Sequence, residues 1–325
     1  MAHFPMREHV SGARDHSKPA RKLRVGTGQA IAHHGELLQG VFPDSSGRLH
    51  RALATLPLAD RVARVTFWPD DMQTIATRPL GRSKAALAAR LALDLFGYPD
   101  ITGSVTIKST VPLSCGFGSS TADVVATIRA VADAARAQIS RPTLCRLAVA
   151  AETATDAIVF ETQAVLFAHR EGTVLEYLAG DVPPIIVVGF ACPDDAPIET
   201  IDTPPARYGS QEIEVFRVLR GLLRRAIAKQ DVALLGHVST TSARINQRHF
   251  PKRRFDDLKR MSEIAGGCGI QVAHSGTRMG ILFDARLKDG RERAAAITRQ
   301  ASAEGFVDII CFTVGADAPN LSVAQ

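Results

Sequence analysis

Residues 111–123 (VPLSCGFGSSTAD) combine residue types that suit a loop for binding an anion. Gly116 and Gly118 allow a tight turn and a close approach of the backbone to a ligand. A helix that begins after them would present unpaired N–H groups and the positive end of its dipole, and phosphate is the usual ligand of such a site. Three hydroxyl side chains follow, one of which could reach a Mg²⁺ ion that bridges phosphates: Ser119, Ser120 and Thr121. The alternative is a serine-capped helix after a glycine turn, with no ligand.

Two carboxylates, Glu152 and Asp156, lie four residues apart, downstream of this loop. On a continuous helix they would share one face, where two like charges are more tolerable near a cation. If the helix ends before Asp156, that residue lies in a loop instead. A third acid, Glu36, lies in a short turn between two apolar runs. Taken alone, each of these acids is also compatible with a solvated surface position.

Several imidazoles and one guanidinium flank glycines in the same regions. Adjacent imidazoles such as His33 and His34, together with His274, could bind a transition metal. They could equally be polar residues of a cleft, and His34 could be packed and hydrogen-bonded. Arg278 could bind a phosphate or a carboxylate with two parallel hydrogen bonds, or lie solvated on the surface.

The elements that must position these residues alternate between strands and helices. Four short strand-like runs at 23–32, 36–42, 49–58 and 61–68 are separated by turn residues, and a further strand is predicted at 101–110. A helix is predicted from Ser83, taken as its N-cap, to the exit at Gly97 and Pro99. The helix from Ser119 places apolar side chains on one face, at Val124, Ile128, Val131 and Ala135.

The second half of the chain continues the mixed pattern. Pro142 suits the first turn of a helix, and a hairpin is predicted to turn near Glu171 and Gly172. A strongly apolar strand at 182–192 precedes three helical segments, at 211–230, 231–249 and 255–267. The chain then gives a strand, a strand, a helix and a strand. Strands in hairpins mixed with helices favour an α+β fold over repeated βαβ units.

Composition narrows the classes of protein that remain. The chain has 325 residues, of which 46% are hydrophobic and 22% charged, which is typical of a globular protein of about two domains. The five cysteines are scattered without a CxxC pair, and no apolar stretch reaches the ~18 residues of a membrane span. Since the N-terminal segment lacks the apolar core of a signal peptide, we expect a cytoplasmic protein.

The net charge of +6 is concentrated at the N-terminus, where residues 1–24 carry six basic and two acidic side chains. We expect residues 1–22 to form a basic disordered tail. Nucleic-acid binding would need a basic face interleaved with aromatic residues, and aromatics make up only 6% of the chain. No nucleic acid and no membrane partner is therefore expected, and a homodimer is left open.

Residues 112–122 (PLSCGFGSSTA) resemble the phosphate-binding signature of the GHMP kinases, in which Pro precedes a Gly–apolar–Gly–Ser–Ser turn and a small residue before Ala. It is neither a Walker loop nor a Rossmann fingerprint, because no Lys-Ser/Thr follows and the spacing differs. Residues 32–42 (AHHGELLQGVF) resemble the N-terminal GHMP motif that lines the acceptor site. Residues 269–283 (GIQVAHSGTRMGILF) resemble the C-terminal motif that closes over the phosphates. The resemblance extends from Leu23 to the C-terminus.

This resemblance implies a two-domain α+β fold, with a ribosomal-protein-like N-terminal domain at 23–180 and a ferredoxin-like C-terminal domain at 181–325. It implies ATP and Mg²⁺ as cofactors and a small hydroxyl compound as the acceptor. Asp156 would be the base or the group that orients the acceptor hydroxyl, and Ser120 and Glu152 would bind Mg²⁺. The ATP-binding residues implied are Pro112, Gly116, Gly118, Ser119, Ser120 and Thr121. The substrate-binding residues implied are Glu36, His34, Ser275, Gly276 and Thr277.

The sequences of residues 32–42 and 269–283 are closest to those of the L-threonine kinase branch of the family, which implies L-threonine as the leading acceptor. That branch usually has Cys-Pro and a second Cys just before Gly-Glu, where this chain has Ala30, Ile31 and His34. The Lys of mevalonate-type members is also absent, since no lysine lies between Lys22 and Lys84. Homoserine, serine or another small alcohol therefore stays open as the acceptor, as does a non-catalytic sensor on the same scaffold.

Overall fold

Two long antiparallel strands, β1 (Gly26–Pro43) and β2 (Leu49–Asp70), form the centre of the sheet. The computed structural model describes residues 22–71, 73–111, 116–193, 206–274 and 276–315. The four strand-like runs predicted from the sequence fall in these two strands, and only their separation into four short strands is wrong. Shifts of register near Ile31, His33 and Glu36 let β1 bend without leaving the sheet, and Gly35 takes a left-handed φ of 69° at the bend.

Eight further strands extend this pair into a ten-stranded sheet among the described residues. They are β3 (Ala76–Arg78), β4 (Thr102–Ser109), β5 (Gln163–Ala168), β6 (Thr173–Asp181), β7 (Ile185–Ala191), β8 (Gly269–Val272), β9 (Met279–Asp284) and β10 (Val307–Val314). The order along the sheet is β10-β7-β9-β8-β1-β2-β4-β3, and β5 pairs with both β2 and β6. The predicted strand before the glycine loop, the hairpin near Gly172 and the apolar strand after Val182 are confirmed.

The described helices are α1 (Ser83–Phe96), α2 (Ser119–Ala134), α3 (Arg141–Glu152), α4 (Ser210–Ala228), α5 (Val232–Asn246), α6 (Phe255–Ile264) and α7 (Gly290–Ala303), with a short 3-10 helix at Ala157–Phe160. Ser83 is the first residue of α1 and not its cap, because Arg82 holds the cap position and makes no side-chain hydrogen bond there. Pro142 lies in the first turn of α3, as predicted, after a cap by Ser140.

The four strands of the C-terminal half follow the order β10-β7-β9-β8, with α4 to α6 between β7 and β8 and α7 between β9 and β10. This is the strand order of a ferredoxin-like unit, with helices in the two crossover connections. The fold is therefore α+β, as expected. The sheet passes from this unit to β1 at the pairing of Val272 with Glu36. The domain boundary at residue 180 stays a prediction.

Helix α2 lies very close to β1, because two glycines of the strand face it. A Cβ atom at Gly26 would lie 2.2 Å from the carbonyl oxygen of Ala130, and one at Gly28 would lie 2.2 Å from that of Ala126. Any larger residue at either position would force the helix away from the sheet. This contact fixes the height of α2, and hence the position of its first turn, over the centre of the sheet.

Three sets of predicted residues lie outside the described part of the chain: the basic tail up to residue 21, Pro112 in the glycine loop, and Ser275 in the C-terminal motif. Among the described helices, none has the length and apolar character that crossing a lipid bilayer requires.

Candidate active site

The glycine loop ends at the first turn of α2, as predicted. Gly116 and Gly118 have φ angles of 80° and 67°, in the left-handed region that favours glycine. Gly118 is the N-cap and offers no side-chain hydrogen bond, and the helical ladder begins with the bond from Ala122 N to the carbonyl of Gly118. The amide groups of the first turn are therefore uncapped by side chains within the described residues, which suits an anionic ligand.

Ser120 and Glu152 come together from two helices. The Ser120 hydroxyl donates a hydrogen bond of 3.0 Å to Glu152 Oε2, and α3 ends at Glu152 itself. The Glu152 side chain is buried, and its other oxygen, Oε1, has no hydrogen-bond partner among the described residues. Burial and the nearby charge of Asp156 raise the pKa of Glu152 to about 7. A buried carboxylate with one such oxygen atom, beside a hydroxyl, is a donor set of hard oxygen atoms, which fits Mg²⁺.

Asp156 lies in the connection after α3, which settles the alternatives left open by its spacing from Glu152. Its Oδ2 atom accepts hydrogen bonds from His33 Nε2 at 3.0 Å and from the Thr121 hydroxyl at 3.2 Å. Burial favours the neutral acid, but the charge and the hydrogen bond of His33 together oppose it, and the pKa of Asp156 is lowered to about 2. Burial likewise opposes the charged imidazole, but the Asp156 carboxylate raises the pKa of His33 to about 9. The two side chains form a charged pair at neutral pH.

His33 links β1 to the glycine loop as well as to Asp156. Its backbone N–H donates to the carbonyl of Phe117 at 3.2 Å. A Cβ atom at Gly118 would lie 2.3 Å from the His33 ring, so glycine at this position leaves room for the imidazole. The sequence identifies His33 only as a polar residue near a glycine. Its partner lies 123 residues away, and no local pattern signals the pair.

Glu36 is buried and is not the exposed turn acid that its position also allowed. It belongs to β1, and His33 Nδ1 lies 3.9 Å from its Oε1 atom. Neither of its carboxylate oxygens has a hydrogen-bond partner among the described residues. Burial raises the pKa of Glu36 to about 7, against the opposing charge of His33. Ligand atoms of His33, Glu36 and Asp156 lie within 4.8 Å of one another, so the charged imidazole lies next to both acids.

His34, predicted to contact the substrate, is not brought into this cluster. It is completely buried between the rings of Phe117 and Phe312, at centroid distances of 5.6 and 5.3 Å. Its Nδ1 atom is hydrogen-bonded to the amide of Gln271 at 2.5 Å. Burial lowers the pKa of His34 to about 3. The structure therefore supports the packed and hydrogen-bonded alternative, because His33 and His34 point to opposite faces of a strand.

The C-terminal motif lies against the glycine loop through Arg278. The guanidinium of Arg278 stacks 4.2 Å above the ring of Phe117 and pairs with Asp308 at 2.8 Å, with only 1% of the residue exposed. The surface alternative for Arg278 is therefore wrong. Gly276 accepts a hydrogen bond of 2.5 Å from Lys252 Nζ, and Thr277 is buried beside it. Their predicted contact with a substrate stays a prediction.

The comparisons with known proteins agree with this geometry. The family described as the GHMP kinase N-terminal domain matches residues 83–162. The chain is 31% identical over 218 residues to an L-threonine kinase of Citrobacter freundii, which covers 65% of this chain and 73% of that protein. It is 30% identical over 272 residues to an L-threonine kinase of Salmonella typhimurium, which covers 82% of this chain and 85% of that protein.

Solved structures share the fold at lower identity. A homoserine kinase from Cytophaga hutchinsonii superposes with a TM-score of 0.65 and 14% identity, over 89% of this chain and 95% of that one. The L. major mevalonate kinase in complex with R-mevalonate gives a TM-score of 0.61 and 15% identity, over 93% and 99% of the two chains. The uncapped first turn of α2 and the Ser120–Glu152 pair are consistent with these relatives. The chain belongs to the GHMP kinase family and is a phosphotransferase that acts on a hydroxyl group.

Proposed function

We propose that the protein is an ATP- and Mg²⁺-dependent kinase that phosphorylates the hydroxyl group of a small amino-acid-like molecule, with L-threonine as the leading candidate. The observation that carries the proposal is the meeting of two polar pairs at the first turn of α2. Ser120 with Glu152 forms one pair, and His33 with Asp156 forms the other. Two relatives of about 30% identity that are named L-threonine kinases support the choice of acceptor.

In this proposal the ATP phosphates lie against the backbone amides of the glycine loop, between Pro112 and Thr121. Backbone N–H groups and the helix dipole favour the negative charge of the phosphates, although the loop contains no basic side chain. Ser120 and Glu152 would hold Mg²⁺. When bound, the ion supplies charge neutralisation at the phosphate oxygens, which is the main requirement of phosphoryl transfer.

Asp156 would orient the acceptor hydroxyl by accepting its hydrogen bond. Since His33 keeps the pKa of Asp156 low, the carboxylate is ionised and is a weak base at neutral pH. Weak basicity is sufficient because the transition state of phosphoryl transfer is loose and needs little early removal of the proton. His33, protonated beside it, offsets the negative charge that gathers between Asp156, Glu36 and the phosphates.

A kinase for another small alcohol, such as homoserine or serine, is the second candidate. It is favoured by Ala30, Ile31 and His34, which replace the usual residues of the L-threonine kinase branch in the acceptor strand. A non-catalytic sensor is disfavoured, because a protein that only binds nucleotide has no need of Asp156 beside Ser120 and Glu152. We further propose a cytoplasmic location, with neither nucleic acid nor membrane as a partner. Whether the protein forms a homodimer is left open.

The test is ADP production by the purified protein with Mg²⁺-ATP and a panel of L-threonine, L-serine, L-homoserine and ethanolamine. Stimulation by L-threonine above all others supports the leading candidate, and stimulation by another compound moves the acceptor while keeping the kinase. The Asp156→Asn variant should keep ATP binding and lose transfer. ATP binding without turnover on any acceptor would contradict the proposal and favour the sensor.

A further inference from the structure

A register shift in β1 places Glu36 and Gln39 on the same face of the strand. Residues three apart in a regular strand point to opposite faces. Here Glu36 pairs with Thr55, Leu38 with Ala54 and Gln39 with Leu53, so the extra residue, Leu37, is absorbed in a bulge. Because Thr55 and Leu53 are two apart on β2, their partners Glu36 and Gln39 share a face. The two positions are about 7 Å apart along the strand.

Gln39 is held rigidly, yet its amide nitrogen has no hydrogen-bond partner within the described part of the chain. The backbone N–H of Gln39 donates to the Ser242 hydroxyl at 2.9 Å, and its carbonyl accepts from the Asn246 amide at 3.1 Å. Its side-chain oxygen is hydrogen-bonded to Nδ1 of His274 at 2.8 Å. The residue is 2% exposed, and its Nε2 atom has no hydrogen-bond partner among the described residues. A buried N–H donor without an acceptor costs stability unless a ligand supplies one.

A second unpartnered group lies next to it. The rings of His169 and His274 are 5.2 Å apart, and Nδ1 of His169 is buried without a hydrogen bond among the described residues. The carbonyl of His169 accepts from the N–H of Thr155 at 2.9 Å, which places this histidine beside the segment that carries Asp156. The unpartnered atoms therefore lie on the same side of the site as the group that would orient the hydroxyl.

The charges on the two sides of this space differ. At one end, Glu36 presents two carboxylate oxygens that have no hydrogen-bond partner in the part of the chain that the structure describes. At the other end His169 and His274 lie near the positive charges of Arg51, Arg170 and Lys252, with Asp156 and Glu171 as opposing negative charges. Burial lowers the pKa of His169 to about 4 and that of His274 to about 3, so both rings are neutral hydrogen-bonding groups. A ligand with a cationic end and an anionic end matches this arrangement.

We propose that Glu36 binds the ammonium group and Gln39, assisted by His169, binds the carboxylate group of an α-amino acid whose hydroxyl points to Asp156. The two positions share one face of the strand about 7 Å apart, so each side chain can make a hydrogen bond of about 2.9 Å to a ligand that lies over that face. This assignment rests on the proposed function, since it supplies the acceptor site of that kinase. It commits the acceptor to a zwitterion and disfavours simple alcohols such as ethanolamine.

The test compares acceptors that lack one charged group. Against L-threonine we would use 1-amino-2-propanol, which lacks the carboxylate, and 3-hydroxybutyrate, which lacks the ammonium. Gln39→Leu should raise the KM for L-threonine about 10- to 100-fold, as expected for one hydrogen bond to a charged group, and leave that for 1-amino-2-propanol within about twofold. Glu36→Gln should likewise raise the KM for L-threonine and leave the KM for 3-hydroxybutyrate unchanged. A fluorescent ATP analogue checks that each variant still binds nucleotide.

Gln271→Leu is the matched control, because it removes a second buried glutamine that is bonded to His34, outside the cluster. It should change the KM values for both acceptors by the same factor. Equal losses on both acceptors in Gln39→Leu, or wild-type KM values that do not depend on the carboxylate, would overturn the assignment.

A binding experiment separates this inference from the proposed function. Calorimetry with L-threonine, L-homoserine, L-serine and L-alanine measures binding whether or not any of them is phosphorylated. Binding of an amino acid that weakens at least tenfold in Gln39→Leu supports the subsite even where turnover fails. Binding of no amino acid, or binding that is insensitive to Gln39, overturns it even where another alcohol is a good substrate.

Discussion

The imidazole of His33 and the carboxylate of Asp156 lie 3.0 Å apart, although 123 residues separate them in the chain. The pair joins β1 to the segment that follows α3. Thr121, in the first turn of α2, donates to the same carboxylate oxygen. One acid is thus in contact with both the strand that would bind the acceptor and the helix that would bind the nucleotide.

His33→Gln should lower kcat by about 100- to 1000-fold, the range seen when one preorganised charge-stabilising donor is removed from an active site. The KM for ATP should change little, because the backbone amides of α2 remain. The measurement is steady-state ADP production. His237→Gln, on the exposed face of α5, is the control and should behave as the wild type. An unchanged kcat in His33→Gln would show that the pair is only structural.

The pH profile should carry the signature of this pair. Because the Asp156 carboxylate raises the pKa of His33 to about 9, the imidazole is charged at neutral pH and loses its proton as the pH rises through 9. We expect kcat/KM to fall along that limb, and the limb to be absent from the residual activity of His33→Gln. A profile whose alkaline limb is the same in both proteins would assign it to another group.

Glu152→Gln should raise the Mg²⁺ concentration needed for half-maximal activity by about tenfold or more, since it replaces an anionic ligand with a neutral one. Titration of activity with Mg²⁺ at saturating ATP gives the value. Glu161→Gln is the control, because Glu161 is an exposed acid paired with Arg129. An equal shift in both variants would point to a general electrostatic effect and away from a ligand.

Gly118→Ala should nearly abolish transfer and destabilise the protein by about 1–2 kcal/mol, from the left-handed backbone alone. The added methyl group would also lie 2.3 Å from the His33 ring and so displace it. Gly47→Ala is the matched control, since Gly47 has a φ of 85° but nothing within 4 Å of its Cβ position. Both variants should lower Tm, and only Gly118→Ala should lose activity. Loss of activity in both would make backbone strain the sole cause.

Local sequence patterns were sufficient to predict most helices and strands, and the glycine loop before α2. The alternation before the loop, the glycines and the helical spacing after Ser119 are all properties of neighbouring residues. Buried pairs between distant segments carry no such signal, so the partners of Asp156 and Arg278 were not predictable. The two long central strands were missed because a β-bulge interrupts the alternation in the sequence without interrupting the hydrogen-bonded ladder.

The close contact of Gly26 and Gly28 with α2 has a consequence for natural variation and for engineering. These glycines contact the middle and the C-terminal end of the helix. At a rise of 1.5 Å per residue, Ala126 is about 10 Å along the helix axis from Ser119. Because the helix is rigid, a methyl group added at Gly28 would tilt the whole helix and so displace its first turn. A ranking of positions by their distance from the ligand would rate Gly28 as tolerant of substitution. We expect Gly28 to be among the positions of the chain that tolerate substitution least.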